Sequence, residues 1–436
     1  MKKKKYLILK DGKKIITEED PFIFLRLKRV NLNLNSKLKE MEILEQEISS
    51  GKGFFSILPN GKIISSLIQE FITNHLENDF EASQIKTPFI YKIKGDESLT
   101  KLFEERVYLL KSEDEIKMIL KPNADLGLFH LASNIMINKK CLPLRIYENS
   151  TCLRYLLSGE INGIKKARGF FLFDCHSFCE NEESAIQEYF SVLNKQKSMH
   201  SIFSKKIIIW FKLPEKFLNK YQKIIELYAS AKDLIIVEIL SEKKSYWEIK
   251  SFTMDEDGDR LFHVQFDLLN PIEYGIKYLD GEKTKPCIII HNSLGTVERW
   301  IFFFIKNALK KETPVLPLWL SPTQVRILPI KDTNILDTIK LAEKIRSFKI
   351  RVDVDDRSDT LGAKIRNAEK EWIPYIIVFG DKEASDQSVL PIRKRGYGQI
   401  SLSAESLIEK IKEEVEDMPY RSLPNWLLSK RPIFYG

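Results

Sequence analysis

Arginine is the side chain best suited to gripping phosphate or carboxylate, because its planar fork donates two parallel hydrogen bonds and stays charged. Two of them, Arg154 and Arg168, bracket a Ser-Gly and an Asn-Gly pair in "LRYLLSGEINGIKKARGFFLFDCH". Such turn residues fold the segment into a hairpin, which would set the two guanidinium groups on facing arms, able to clamp an anion. An isolated carboxylate, Asp174, and an imidazole, His176, follow on the outgoing arm. Taken alone, the segment reads more plainly as a surface hairpin with two solvated arginines. A third arginine, Arg299, stands in "HNSLGTVERW", where a Gly-Thr turn leads from the strand "CIIIH" into a helix. The free N–H groups and dipole of a helix start attract anions, and the arginine adds charge. The plain structural counterpart is an N-cap by Thr296 with exposed Glu298 and Arg299. Three anion grips in one domain fit a nucleoside triphosphate and an acyl- or phosphoryl-transfer step.

Such groups need a rigid scaffold. Residues from about 85 to 300 give mostly strand signals, among them "KIIIWF", "DLIIVEIL", "YWEIKSF", "RLFHVQFDL" and "KPCIIIHN". They are rich in β-branched and aromatic residues and separated by turns. With a helix through "ESAIQEYFSVLNKQ", they predict an α+β domain built on an antiparallel sheet. After "ETPVLPLW" strands and helices alternate, from "TQVRILPI" and "ILDTIKLAEKIRSF" to "SAESLIEKIKEEVE". That rhythm predicts a compact three-layer α/β domain. The expected division is a short N-terminal segment at 1–50, a catalytic domain at 51–312 and a C-terminal domain at 313–436. In the first fifty residues, "KYLILKDGKKII" reads as strand and "NSKLKEMEILEQEI" as a charged helix. A Pro-Asn-Gly turn then leads into helical spacing through Ile64, Leu67, Ile68, Phe71 and Ile72.

On these residues the chain resembles the class II aminoacyl-tRNA synthetases, in the archaeal threonyl-tRNA synthetase form. "LPLRIYENSTCLRYLLSGEINGIKKARGFFLFDCHSFC" is similar to their second signature motif and "HNSLGTVERW" to the third. "ILPNGKIISSLIQEF" is a weaker match to the dimer-forming first. "PLWLSPTQVRILPI", "RVDVDDRSDTLGAKIRNAEKEWIPYIIVFGDKE" and "LPNWLLSKRPIF" resemble the anticodon-binding domain. The resemblance implies a threonine–tRNA ligase using ATP with Mg2+, threonine and tRNA(Thr). Arg154 would hold the α-phosphate and the amino-acid carboxylate; Arg168 and Arg299 would hold the outer phosphates. Asp174 would accept from the substrate ammonium, and Gln265 would line the same pocket. It also implies a Zn2+ ligand set at Asp125, His176 and His291. Asp125 stands where the family's "KP-x-N-C-P-G" context has cysteine, and two histidines with a carboxylate remain a catalytic zinc set. Arg366, Glu383 and Arg393 fall on positions that read anticodon bases. Leu156, Leu172 and Phe173 replace polar residues of the family pattern. The expectation is a homodimer without an editing domain, relying on a separate editing factor to clear seryl-tRNA(Thr). The alternative is a degenerate paralogue that binds tRNA or partners an active synthetase.

Bulk composition agrees with a globular protein of two or three domains: 436 residues, 43% hydrophobic and 30% charged. The longest apolar runs, such as "IFFFI", fall far short of a membrane span, so no membrane partner is expected. "MKKKKYLILK" begins like a signal peptide but is broken by "KDGKK", which makes export unexpected. The cysteines, Cys141, Cys152, Cys175, Cys179 and Cys287, read as reduced thiols of a cytoplasmic protein. A net charge of +8 permits a polyanionic partner, and solubility alone would also explain it.

Overall fold

β-branched and aromatic residues favour the pleated conformation because they pack well on its half-buried surface; ten such runs join in one sheet. The computed structural model describes residues 4–25, 34–92, 106–111, 117–204, 206–228, 233–240 and 246–434. The chain divides into two units, one of residues 1–31, 72–161 and 166–300, the other of 32–71, 162–165 and 301–436.

The first unit is the ten-stranded sheet. Its strands are β1 (Lys5–Lys10), β2 (Lys13–Thr17), β3 (Ser83–Ile85), β4 (Leu144–Leu153), β5 (Gly169–Cys179), β6 (Ile208–Pro214), β7 (Leu234–Leu240), β8 (Trp247–Met254), β9 (Arg260–Asp267) and β10 (Ile288–Thr296). Their order is β2-β1-β7-β6-β8-β9-β10-β5-β4-β3. Pairing is antiparallel except for β6–β7 and β3–β4. The expected α+β sheet is therefore present, with two parallel pairs that the sequence pattern did not announce.

Register positions the chemistry. Gln265, His291 and His176 lie opposite one another across β9, β10 and β5, and His263, Ser293, Asp174 and Glu148 form the next row. Since side chains alternate faces with period two, Asp174, His176, His291, Gln265 and Asp267 share one face. Helix α1 (Asp125–Ser133) begins with Asp125. Helix α2 (Glu182–His200) packs on the same strands through their other face. There Gln196 donates to the Asn292 carboxamide oxygen at 2.7 Å. Helix α3 (Val297–Leu309) follows β10 directly.

The N-terminal strand reading resolves into a hairpin whose two-residue turn, Asp11-Gly12, has φ of 50° and 73°. That is the left-handed pair that matches the strand twist, and β1 then pairs with the sheet through β7.

In the second unit, helix formation stops at Glu40 rather than running on to Ile48. Met41, Glu42, Ile43 and Leu44 are all buried, four successive positions that no single helical face can hold, and Glu42 turns the chain at φ 52°. Leu44–Gln46 then pairs with Phe55–Ile57. The Pro-Asn-Gly "turn" is the first turn of the helix Pro59–Asn78, with proline at the position where its missing N–H costs nothing.

The rest of this unit holds β11 (Val325–Pro329), β12 (Val352–Val354), β13 (Tyr375–Phe379), β14 (Leu390–Lys394) and β15 (Gly398–Leu402), in the order β12-β11-β13-β14-β15. Helices α4 (Ile335–Arg346) and α6 (Ala404–Glu414) bury Leu341, Ile345, Leu407 and Ile411 against Val325, Ile327 and Ile377. Helix α5 (Leu361–Lys370) covers Leu328 and Ile376 on the other face, giving the three layers expected. Arg326, fully buried, donates to both Asp353 and Glu371, and Arg431 reaches Asp353 at 2.8 Å. Burial alone would raise the Asp353 pKa, yet Arg326 and Arg431 hold it below the usual range. Among the described residues no helix is long and apolar enough to cross a membrane.

Candidate active and metal site

The hairpin between β4 and β5 closes where Leu153 pairs with Gly169. Just beyond, the Arg154 N–H donates to the Arg168 carbonyl at 2.8 Å, so both arginines stand at the root of the loop, as the turn residues predict. Arg154 Nε donates to the Pro122 carbonyl at 2.8 Å, and its guanidinium lies 5.2 Å from the Phe170 ring centre. Arg168 turns toward its own loop instead: Nε donates to Leu156 O at 2.9 Å, and the guanidinium stacks 5.0 Å over Tyr155.

Arg299 enters from α3. Gly295 has φ 80°, and a Cβ there would stand 2.9 Å from Leu261 O, so only glycine lets the chain turn from strand into helix here. Thr296 Oγ1 caps the helix by accepting from Arg299 N at 3.1 Å. The exposed Glu298 of the plain N-cap reading is not found. Its carboxylate is buried, accepts from Phe171 N–H, and is pushed up to about 7 by burial. Arg299 is partly buried; burial first, then the charges of Arg154 and Arg260, bring its pKa down to about 10. Lys250, opposite Gln265 on β8, feels the same neighbours. Burial and then Arg154 and Arg260 bring it down to about 8. Arg154, Arg299, Arg260 and Lys250 thus form one field of positive charge, as a triphosphate would need. Arg168 is tied to Arg154 through the hairpin backbone, while its guanidinium faces Leu156 O and Tyr155.

Beside that field lies the cluster of Asp125, His176 and His291, all buried, with donor atoms within 4.8 Å of one another. His176 Nε2 is 2.9 Å from Asp125 Oδ1, and His291 Nδ1 is 3.9 Å from the same oxygen. Ligand atoms around a tetrahedral zinc sit about 3.3 Å apart, given bonds of roughly 2.0–2.1 Å, and the two distances straddle that value. The far nitrogen of His291 meets Asp267 Oδ2 at 2.8 Å. That carboxylate fixes the ring so that Nδ1 presents its lone pair toward Asp125, the arrangement that metal-binding histidines favour. Asp267 is itself held by the Leu269 and Asn270 N–H groups. Phe129 packs edge-on against both imidazoles, at 5.7 and 5.8 Å. The residues present fit a zinc ion.

Burial opposes ionisation of Asp125, but the hydrogen bond and charge of His176, with His291 and Arg154 beyond, hold it well below the carboxylate range. For Asp174, burial and then the negative charge of Asp125 raise the pKa. Burial would lower His291; the bond to Asp267 and the charge of Asp125 raise it instead. Gln265 accepts from the Tyr246 hydroxyl at 3.3 Å, and the Tyr246 ring lies 5.6 Å from His291. Leu172 packs with Cys152 and Phe170 as an apolar patch, and Leu156 and Phe173 are buried.

Asp267, Tyr246, Lys250 and Arg260 were not singled out from the sequence. Only the alternation in "FHVQFDL", which places Asp267 on the face of Gln265, pointed to one of them.

In the second unit Arg366 is exposed on α5. Arg393 is exposed on β14 and donates to Glu369, one turn beyond Arg366, at 3.2 Å. Glu383 accepts from Gly380 N–H at 2.9 Å, capping a short helix.

Residues 108–308 match the family model of the tRNA synthetase class II core domain (G, H, P, S and T), and residues 324–414 that of the anticodon binding domain. A threonine–tRNA ligase of Methanosphaerula palustris is 30% identical over 413 residues, 91% of this chain and 67% of that relative. One from Nitrosopumilus maritimus is 33% identical over 414 residues, 91% of this chain and 66% of its own length. The chain thus spans about two thirds of the length of these relatives. Among solved structures, the RNA binding domain of threonyl-tRNA synthetase from Cryptosporidium parvum superposes with TM-score 0.76 at 20% identity, over 90% of this chain and 99% of that one. Prolyl-tRNA synthetase of the same organism gives 0.68 at 14% identity, over 88% and 74%.

Proposed function

The chain belongs to the threonine–tRNA ligases of the class II aminoacyl-tRNA synthetases, and from that premise we propose that it charges tRNA(Thr) with threonine, as a homodimer. In the first step a threonine carboxylate oxygen attacks the α-phosphorus of ATP, carried in with Mg2+, and pyrophosphate leaves. In the second, a hydroxyl of the terminal ribose of tRNA(Thr) attacks the adenylate carbonyl and AMP leaves. The observation that carries this reading is the adjacency of the Arg154–Arg299 charges to the Asp125–His176–His291 cluster, Arg154 acting electrostatically on both Arg299 and Asp125.

Arg154 would hold the carboxylate and the α-phosphate, with Arg168 and Arg299 on the outer phosphates. Fixed guanidinium groups there stabilise the charge that develops as pyrophosphate departs, without reorganising at the moment of reaction. Asp174, flanking the cluster, would accept from the substrate ammonium, with Gln265 lining the opposite side. Asp125, His176 and His291 would hold a Zn2+, whose Lewis acidity would serve the amino and hydroxyl groups of threonine; a methyl in place of the hydroxyl offers no such donor. Arg366, Glu383 and Arg393 would read unstacked anticodon bases by their edges.

Pyrophosphate exchange measured with each of the twenty amino acids tests the reading. Threonine is expected to drive exchange, with serine second, above about 1/1000 of the threonine rate, because one missing methyl costs only about 1–3 kcal/mol. Exchange with another amino acid alone, or none while tRNA(Thr) still binds, would overturn it. Clearing the misactivated serine then falls to a hydrolytic step outside this pocket.

Lys250 adds a pH dependence. Its charge is present below about 8 and lost above, so KM for threonine or ATP is expected to rise about tenfold from pH 7 to pH 9, the worth of one charged hydrogen bond. Lys250→Met should show the raised KM already at pH 7 and no further rise. A wild-type KM that stays flat across that window removes Lys250 from the site.

A further inference from the structure

A cavity of about 420 Å³ in the second unit has no part in the proposed reaction, and its size suits one small molecule. Trp319, Phe348, Met418 and Tyr420 supply apolar and aromatic walls, with Phe348 47% exposed. Arg351 also lines it, although only 2% of that residue is exposed. Its Nε donates to Ser321 O at 3.0 Å, and its Nη2 to Trp319 O at 2.7 Å and Leu318 O at 3.4 Å. Among the described residues Nη1 has no protein acceptor, and no carboxylate pairs with the guanidinium. A buried cation without a counter-charge is costly, and burial brings its pKa down to about 10. An incoming oxyanion would remove that cost.

The rim has the opposite character. Glu409 and Glu413, one turn apart on α6, and Glu416 just past its end stand there against Lys349 and Lys412. Three carboxylates over two ammonium groups disfavour a polyphosphate chain and favour a ligand with a positive group of its own.

We propose that this cavity binds a small zwitterion with an apolar body, of the class of the large apolar α-amino acids. The carboxylate meets Arg351 Nη1, the side chain lies against the aromatic walls, and the ammonium faces the glutamates. The site is separate from the one on the catalytic sheet, and its failure would leave the ligase reading untouched.

The test uses the full chain with 13C-labelled methionine methyls and follows Met418, assigned through Met418→Leu. Titration with L-phenylalanine is expected to give a saturable shift with Kd at or below about 1 mM. L-phenylalaninamide, which lacks the carboxylate, and 3-phenylpropionate, which lacks the ammonium, should each bind at least about tenfold more weakly. Arg351→Met should abolish the shift. Because Arg351 also ties down the turn at Leu318–Ser321, the exposed rim variant Glu413→Lys provides a second test, with about tenfold weaker binding expected in an intact fold. No shift with phenylalanine up to about 10 mM, equal binding of the amide, or a Met418 response only to a tRNA anticodon-arm oligonucleotide would each overturn the proposal.

Discussion

Asp125→Ala is expected to leave the chain without bound zinc after dialysis, where the unaltered chain keeps close to one ion, and to cut threonine-dependent exchange by at least about 100-fold. That factor corresponds to roughly 2.7 kcal/mol of transition-state binding. The argument rests on position and charge. Asp125 is the one anionic donor in the cluster, and its carboxyl stays ionised despite burial because His176 and His291 face it. Alanine would leave two imidazoles 4.8 Å apart, ring centre to ring centre, with no anionic donor in the cluster. Asp125→Cys restores an anionic donor of softer kind and should retain zinc, more tightly than the aspartate does. Asp267→Asn separates the ligand from its support: the amide can still accept from His291 but carries no charge, so zinc affinity should fall by about 10–100-fold without being lost. Metal content measured by mass spectrometry decides these outcomes independently of catalysis. Full zinc occupancy and unchanged exchange in Asp125→Ala would remove Asp125 from the ligand set.

How much of this was legible beforehand follows from which interactions are local. The arginine-bracketed hairpin could be read because its turn residues reside in one short stretch; Arg154 and Arg168 are joined backbone to backbone at its root, while their guanidinium groups turn to different partners. The alternating strands and helices after Pro317 were equally plain, since each element carries its own period. Tyr246 and Lys250 were not readable, and Asp267 only as a residue on the face of Gln265. Each acquires its meaning from register: Gln265 lies opposite both His291 and Lys250, and nothing in a single strand announces its partner. Glu298 departs from the plain N-cap reading for a related reason. As a lone glutamate in a first helical turn it reads as solvent-facing, but the neighbouring strand brings the Phe171 N–H to it. The helix expected through residues 35–48 fails at Met41–Leu44, where burial on successive positions fits a turn and strand better than any helical face.

The second large effect belongs to the arginines, and it separates their roles. Arg299→Ala is expected to lower the rate of exchange about 10²–10³-fold with little change in KM for threonine, as removal of one preorganised charge contact does elsewhere. Arg299→Lys should recover only part, since a point charge replaces a two-pronged fork. Arg154→Ala should raise KM for threonine as well as lower the rate. Its Nε ties down Pro122 O, and the Leu153 N–H holds Lys121 O beside it, so the same segment that carries Asp125 is anchored to the hairpin root. Losing that anchor displaces the amino-acid pocket and the phosphate grip together. Arg168→Ala should cost less than either, because that guanidinium already donates to Leu156 O and stacks on Tyr155, which leaves fewer of its N–H groups for a phosphate. The ordering of the three, read in kcat and KM separately, distinguishes a shared triphosphate site from independent surface arginines, whose removal would leave all three rates within about twofold of the parent, the range of a surface substitution.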